Sequence, residues 1–368
     1  MSDRTFQIVV LPGDGIGVEV TESALVVLDR LMARIGGFKL AYEHHRAGAE
    51  LYRETGTDLP DPVAKACERA DAILFGAMGL PDVRYSDGTE IAPQLVLRMD
   101  LDLYAGVRPI RALPGTRLPL ADSRAADIDF VLVREQTEGW FYGRYHPEVG
   151  PRSTADEAYD VGRITRKGSE RLFEFAFRLA ERRRARNPKK GRVTCVDKAN
   201  VHRSLALFHR IFWEQAKRHP GIAADHCYVD AMSLNLIRKP WEYDVLPTEN
   251  QFGDILSDLG AALIGGMGMA PSGDIGDAHG LFQPAHGTAP DIAGKGIANP
   301  TAMILSAAMM LDWLGERHGL RQCVEAAALL ERAVDHAFAT GKIVTPEFGG
   351  KDGTAAVTRA VIEALGAK

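Results

Sequence analysis

Short apolar runs alternate with amphipathic stretches along most of the chain. Phe6 to Leu11 is an apolar run that stops at Pro12 and Gly13, and the helical periodicity of Val18 to Ile35 follows, so the chain is predicted to begin strand, glycine loop, helix. A second unit repeats the order in reverse. Pro62 to Ala70 reads as a helix with proline in its first turn, and Ala72 to Phe75 reads as a buried strand broken by Gly76, Gly79 and Pro81. Further apolar runs at 130–133 and 193–196 predict strands, with a long helix between them from about Thr165 to Arg184. After Pro300 the periodicity predicts helices over 301–315, 323–339 and 354–366, whereas 143–160 is polar, rich in turn formers and expected to be an exposed arm or loop. Alternation of this kind implies an α/β fold with a largely parallel sheet, whose ligands collect at the carboxyl ends of the strands.

Composition narrows the function classes. At 368 residues, 46% hydrophobic and 25% charged, the chain can bury a large core and has the length of two domains, or of one core extended by a lobe. A net charge of -5 supplies no field for polyanions, and the basic run Arg182 to Lys190 is read as a solvated helix end, so no nucleic-acid partner is expected. Four scattered cysteines without CxxC spacing, and no signal peptide before Ile8, point to a reducing cytoplasm. The weakly polar runs 259–271 and 302–311 fall short of the roughly 20 apolar residues of a membrane span, so no membrane partner is expected either.

Several clusters can carry chemistry. LPGDGIG, residues 11–17, follows a strand and precedes a helix, but its glycines are spaced GxGxG rather than GxGxxG; it is either a turn shaped by backbone demands or a cofactor loop. Gln283 to Pro300 holds three glycines and three prolines in a long rigid loop, where Asp291 suits a ribose diol and His286 and Asn299 suit adenine, unless the loop merely closes a domain. Arg98, Arg108 and Arg134 flank apolar runs; converging, they would fit a di- or tricarboxylic acid, and apart they would be three structural ion pairs. Lys198 directly follows the strand at 193–196, where desolvation can make a lysine a general base, though such a residue can equally be an exposed strand-end charge. Asp254 and Asp258 stand one helical turn apart, and with Asp230 they make three hard oxygen donors suited to Mg2+ or Mn2+ rather than zinc.

The stretches LPGDGIG, LDLYAGVRP, VREQTEG, VDKANV, YVDAM, FGDILSD and HGTAPDIAGKGIANP resemble, in order and spacing, those of the β-decarboxylating isocitrate, isopropylmalate, homoisocitrate and tartrate/D-malate dehydrogenases, over essentially the whole chain. The resemblance implies an α/β, two-domain, isopropylmalate-dehydrogenase-like fold with a continuous mixed sheet, not a Rossmann fold. Residues 1–103 plus 265–368 would be the larger cofactor-side domain and 104–264 the smaller dimerisation and substrate domain. It further implies that Arg98, Arg108 and Arg134 clamp substrate carboxylates, that Lys198 takes the hydroxyl proton, and that Asp230, Asp254 and Asp258 bind the metal. Lys198 and Asp230 would enter the site from the partner subunit of a homodimer. His286, Gly287, Ala289, Asp291 and Asn299 would hold adenosine, with Asp291 selecting NAD because a carboxylate accepts from a ribose diol and repels a 2'-phosphate.

Five positions depart from the family pattern, one of them Ile91, where a glutamate often stands near the nicotinamide and here Glu90 is the neighbour. Seven residues after Arg134 the family's enol-protonating tyrosine is replaced by Phe141, with Tyr142 beside it as the candidate substitute; on a strand the two would face opposite ways. Gln94 stands four residues before Arg98, where isopropylmalate enzymes place leucine, which turns the expectation toward a polar or small γ-substituent, as in tartrate or D-malate, with 3-isopropylmalate as the alternative. Val18 and Gln283 replace a proline and a glutamate. The expectation is thus an NAD- and Mg2+- or Mn2+-dependent 2-hydroxy-acid dehydrogenase, set against a non-catalytic regulatory subunit, which would lack ligands that this chain retains.

Overall fold

The computed structural model describes residues 4–150 and 152–366; residues 1–3, 151, 367 and 368 of the expected domain and arm ranges lie outside them. In chain order the strands and helices are β1 (Arg4–Gly13), α1 (Ile16–Ile35), β2 (Phe38–His44), α2 (Ala49–Thr55), α3 (Asp61–Arg69), β3 (Ala72–Ala77), α4 (Pro93–Asp100), β4 (Ala105–Arg111) and β5 (Asp129–Glu135). There follow α5 (Tyr142–Tyr145), β6 (Arg152–Ser153), β7 (Ala158–Tyr159), α6 (Arg166–Arg186), β8 (Arg192–Asp197), α7 (Arg203–Ala216), β9 (Ala223–Tyr228), α8 (Val229–Arg238), β10 (Val245–Thr248) and α9 (Asn250–Leu263). The chain ends with β11 (Pro271–Ile275), β12 (Gly280–Pro284), α10 (Thr301–His318), α11 (Arg321–Ala339) and α12 (Thr354–Gly366).

The chain divides into two compact units: residues 1–102, 113–119 and 264–368 make one, and 103–112 and 120–263 the other. In the first, strands run in the order β2-β1-β3-β12-β11, parallel except for the β11/β12 pair. Phe6, Ile8, Leu11, Leu28, Phe75 and Phe282 are fully buried there. The apolar run at 302–311 lies in α10, a helix buried over most of its length, which is why it shows little amphipathicity. Among the described residues no helix is long and apolar enough to cross a membrane.

In the second unit the order is β4-β5-β10-β8-β9, parallel except for β4/β5. Phe173 and Phe177 of α6 pack on Phe208 and Phe212 of α7, with ring centroids 4.5–5.7 Å apart, and aromatic pairs of this kind favour such separations. The polar stretch 143–160 carries the short α5 and a two-residue ladder of β6 on β7. The loop expected from Gln283 starts later, because Gln283 and Pro284 complete β12.

Two strand ends approach each other closely. A Cβ on Gly76 would lie 2.0 Å from the carbonyl oxygen of Pro12 and 2.9 Å from Thr21 Oγ1, so only glycine fits where β3 passes the end of β1. Gly76→Ala is expected to destabilise the protein by on the order of 3 kcal/mol. Gly56→Ala, at a left-handed helix end with open space around it, is expected to lose on the order of 1 kcal/mol. Urea unfolding of the two variants checks the ordering.

Candidate functional site

Helix α9 opens just after β10, so its first turn lies beside the end of the neighbouring β5. Arg134, on β5, is almost fully buried and donates from Nε and Nη2 to Asn250 Oδ1 at 3.0 and 2.7 Å, while its Nη1 pairs with Asp254. Gly253 makes room for this arginine: a Cβ there would meet Arg134 Cβ and Cγ at 2.7 Å. Asn250 is held in turn, donating from Nδ2 to the Glu138 carbonyl at 3.0 Å. Asp254 is about half exposed, and one turn on the Asp258 carboxyl is pushed above the usual carboxylate range by burial and then by the Asp254 charge, an effect that Arg108 and Arg134 oppose. Two carboxylates crowded on one helical face beside arginines fit a hard divalent cation, which would relieve their repulsion through oxygen ligands.

Lys198 and Asp230 form a separate group. They leave the carboxyl ends of the paired strands β8 and β9, where Asp197 stands opposite Tyr228, and Lys198 Nζ donates to Asp230 Oδ1 at 2.5 Å. That bond holds the Asp230 carboxyl below the ordinary carboxylate range. Among the described residues of one chain, Asp230, Asp254 and Asp258 do not bring their oxygens within 4.8 Å of one another.

The trio with that spacing among the described residues is Asp197, His209 and His226, with His209 Nδ1 and His226 Nε2 at 3.0 and 2.9 Å from Asp197 oxygens. It is a hydrogen-bond cluster. Trp213 Nε1 donates to His209 Nε2 at 3.0 Å, so the ring proton sits on Nδ1 and points at Asp197. A metal on Nδ1 would move that proton to Nε2, against the indole N–H. Asp197 also accepts from the Ala199 amide at 2.8 Å, which fixes the backbone on either side of Lys198.

In the first unit Arg98 and Gln94 lie one turn apart on α4. Arg98 is buried and donates through Nε to Asp274 Oδ2 at 2.8 Å. Gln94 is half-buried, and its Oε1 is buried without a hydrogen-bond partner. In the loop after β12, His286 Nδ1 donates to the Gly287 carbonyl at 2.8 Å and burial lowers the ring's pKa, leaving Nε2 as a buried acceptor without a partner. This acceptor fits the amino group of adenine. Thr288 ties the loop down: its carbonyl accepts from the Ile16 amide at 2.9 Å and its hydroxyl donates to Gly79 O at 2.7 Å. Ala289 has a φ of 37° and Asp291 is exposed. Asn299 stands where the loop meets α10. Its Oδ1 accepts from the Thr301 amide and hydroxyl at the start of α10, and its Nδ2 faces Met269 Sδ at 3.1 Å.

The LPGDGIG loop is pinned through its own aspartate. Asp14 is fully buried and accepts from the amides of Ala49, Glu50 and Gly79 at 2.7–2.9 Å. A second correction concerns Phe141 and Tyr142, which sit at the start of α5 rather than on a strand. The Phe141 ring lies 5.7 Å from the Arg134 guanidinium carbon, while the buried Tyr142 accepts at its hydroxyl from Arg163 at 2.8 Å and stacks on His146. Sequence reasoning missed Asn250, Asp274 and Arg163; an asparagine two residues before FGDILSD and an aspartate in the strand PSGDI were the signals available.

The family described as isocitrate/isopropylmalate dehydrogenase matches residues 7–365. A 3-isopropylmalate/3-methylmalate dehydrogenase of Methanocaldococcus jannaschii is 43% identical over 94% of this chain and 94% of its own, and a homoisocitrate dehydrogenase of the same organism is 42% identical over 94% and 93%. The crystal structure of an isocitrate dehydrogenase from Methylococcus capsulatus superposes with a TM-score of 0.83 at 37% identity, covering 98% of this chain and 99% of that one. The chain belongs to the isocitrate/isopropylmalate dehydrogenase family, whose members are oxidative, decarboxylating hydroxy-acid dehydrogenases that use NAD and Mg2+ or Mn2+.

Proposed function

We propose that this dehydrogenase oxidises a malate-type 2-hydroxy acid whose γ-substituent is small or polar, as in tartrate or D-malate. The observation that carries this reading is the buried, unpartnered Oε1 of Gln94, one turn before Arg98. An unmet buried acceptor costs about 1–3 kcal/mol; a substrate hydroxyl would satisfy it and an isopropyl group would not. A second reading, 3-isopropylmalate, is favoured by the activity named for the 43% identical relative, although the 42% identical one is named for homoisocitrate, so similarity at this level does not select the substrate.

In this mechanism Arg98, Arg108 and Arg134 bind the substrate carboxylates, Arg134 being held in place by Asn250. Lys198 accepts the C2 hydroxyl proton once its bond to Asp230 is exchanged for the substrate. Asp230, Asp254 and Asp258 would hold Mg2+ or Mn2+, which supplies Lewis-acid stabilisation of negative charge on oxygen. His286 Nε2 accepts from adenine, the backbone around Gly287 and Ala289 and the start of α10 at Asn299 line the nucleoside, and Asp291 takes the ribose diol of NAD, the hydride acceptor. Residues 1–102 and 264–368 serve the cofactor, and the second unit serves substrate and dimer contacts.

A homodimer completes the metal site in this reading, because among the described residues of one chain the three carboxylates do not gather their oxygens within 4.8 Å of one another. Leu234 and Ile237 on α8 and Ile255 on α9 are 55%, 46% and 61% exposed on the same helices as Asp230 and Asp254. Apolar side chains so placed fit an isologous helix-on-helix contact.

Three outcomes are expected. Lys198→Ala and Asp254→Asn homodimers are each inactive, while refolding them together restores roughly a quarter of wild-type turnover, because mixed dimers hold one intact site; recovery no greater than the sum of the separate variants rules out shared sites. D-malate or tartrate exceeds 3-isopropylmalate in kcat/KM, and Gln94→Leu shifts that ratio toward isopropylmalate by roughly ten- to hundredfold; a wild-type preference for isopropylmalate selects the second reading. Tyr142→Phe retains NADH formation while CO2 released per NADH falls below one, and an unchanged one-to-one ratio assigns the enol proton to another donor.

A further inference from the structure

We infer that Asp274 is a positioning residue for substrate recognition: it grips the Nε edge of Arg98 so that the two terminal guanidinium nitrogens face a substrate carboxylate, and Gln283 keeps Asp274 in that orientation. The inference rests on the reading of Arg98 as a carboxylate clamp.

Asp274 lies near the end of β11, fully buried, and Arg98 is nearly as buried, with side-chain exposures of 0% and 7%. A guanidinium taken out of water needs a counter-charge, and removing one partner of such a pair leaves the other uncompensated. Asp274 supplies it through a single edge. Among the described residues Arg98 hydrogen-bonds through Nε, at 2.8 Å to Asp274 Oδ2, and neither terminal nitrogen is a buried, unsatisfied atom. The fork is therefore presented with its planar, two-donor end available, the geometry that matches a carboxylate in two-point fashion.

Gln283 acts on the same oxygen. In the antiparallel β11/β12 pair Gln283 stands opposite Ser272 and diagonal to Asp274, and its Nε2 donates to Asp274 Oδ2 at 2.9 Å. Position 283 is where the family pattern has glutamate. A carboxylate there would face Asp274 instead of donating to it, and would set a second negative charge beside Arg98, weakening the hold on an anionic substrate. The amide at 283 and the aspartate at 274 thus form one device: a single buried counter-charge, fixed in direction by a neutral donor.

The test compares Arg98→Ala, Asp274→Asn, Gln283→Glu and the charge-relocating pair Asp274→Asn with Gln283→Glu, in the Mn2+-loaded enzyme with NAD. The expected result is a rise in KM for D-malate of about tenfold or more for Asp274→Asn and for Gln283→Glu, with a smaller change in kcat and none in KM for NAD. Asp274→Asn should have no further effect in the Arg98→Ala background. If Asp274→Asn fails to fold, the relocating pair retains one buried negative charge, and its KM reports the lost Nε contact alone. An unchanged KM for D-malate in the relocating pair, while Arg98→Ala raises it, overturns the positioning role and leaves the clamp standing. An unchanged KM in Arg98→Ala removes the clamp, and the positioning role with it.

Discussion

A guanidinium buried in a protein must be given an acceptor, and the two most constrained arginines of this chain receive theirs in opposite ways. Arg134 leans on the neutral Asn250 and meets Asp254, a carboxylate about half open to solvent. Arg98 meets Asp274, a carboxylate with no exposure at all. The first arrangement leaves its negative charge shared and accessible, hence able to recruit a cation; the second internalises it. In the proposed reading the same chemical pair serves as a metal ligand in one unit and as an alignment device in the other, and burial decides between them.

Around these pairs the framework is conventional α/β construction. The candidate catalytic side chains leave the carboxyl ends of strands or the first turns of the helices that follow, as Lys198 does after β8, Asp230 in the opening turn of α8, and Asp254 in the first turns of α9. Strand ends are the natural address for such groups, because the sheet fixes the Cα positions while the loop leaves the side chains free to reach a ligand.

Much of this was legible from residues alone. Apolar runs located β1, β3, β5 and β8, and the periodicity after Pro300 located α10, α11 and α12 within a few residues, because burial of one stripe or one strand imposes its period directly on composition. Other features were hidden where a residue type serves two purposes. Asp274 looks like a turn residue after a serine and a glycine, yet it occupies a strand where Arg98 neutralises it. Asn299 has the chemistry to meet adenine, and its Oδ1 also accepts from Thr301 at the start of α10, since helix ends draw on the same side-chain oxygens that ligands want. Phe141 and Tyr142 follow a strand closely enough to suggest continued extension, but Gly139 adopts a φ of 76° and turns the chain before them, so period-two alternation no longer applies. Asp274 depends on a partner 176 residues away, Asn299 on its near neighbour Thr301, and Phe141 and Tyr142 on the turn at Gly139.

In the proposed reading, where the loop after β12 holds the nucleotide, the fastening of Thr288 bears on how that nucleotide comes and goes. Its carbonyl and hydroxyl bind two different strand-end loops, at Ile16 and Gly79, so the segment that carries His286 and Asp291 is anchored at its centre before any ligand arrives. A pre-fastened surface surrenders little conformational entropy on association, and it gains nothing by closing behind its guest. Exchange of oxidised for reduced dinucleotide at such a platform is governed by the contacts broken rather than by a slow rearrangement of the polypeptide, which suits a catalyst that must discharge its coenzyme after every turnover.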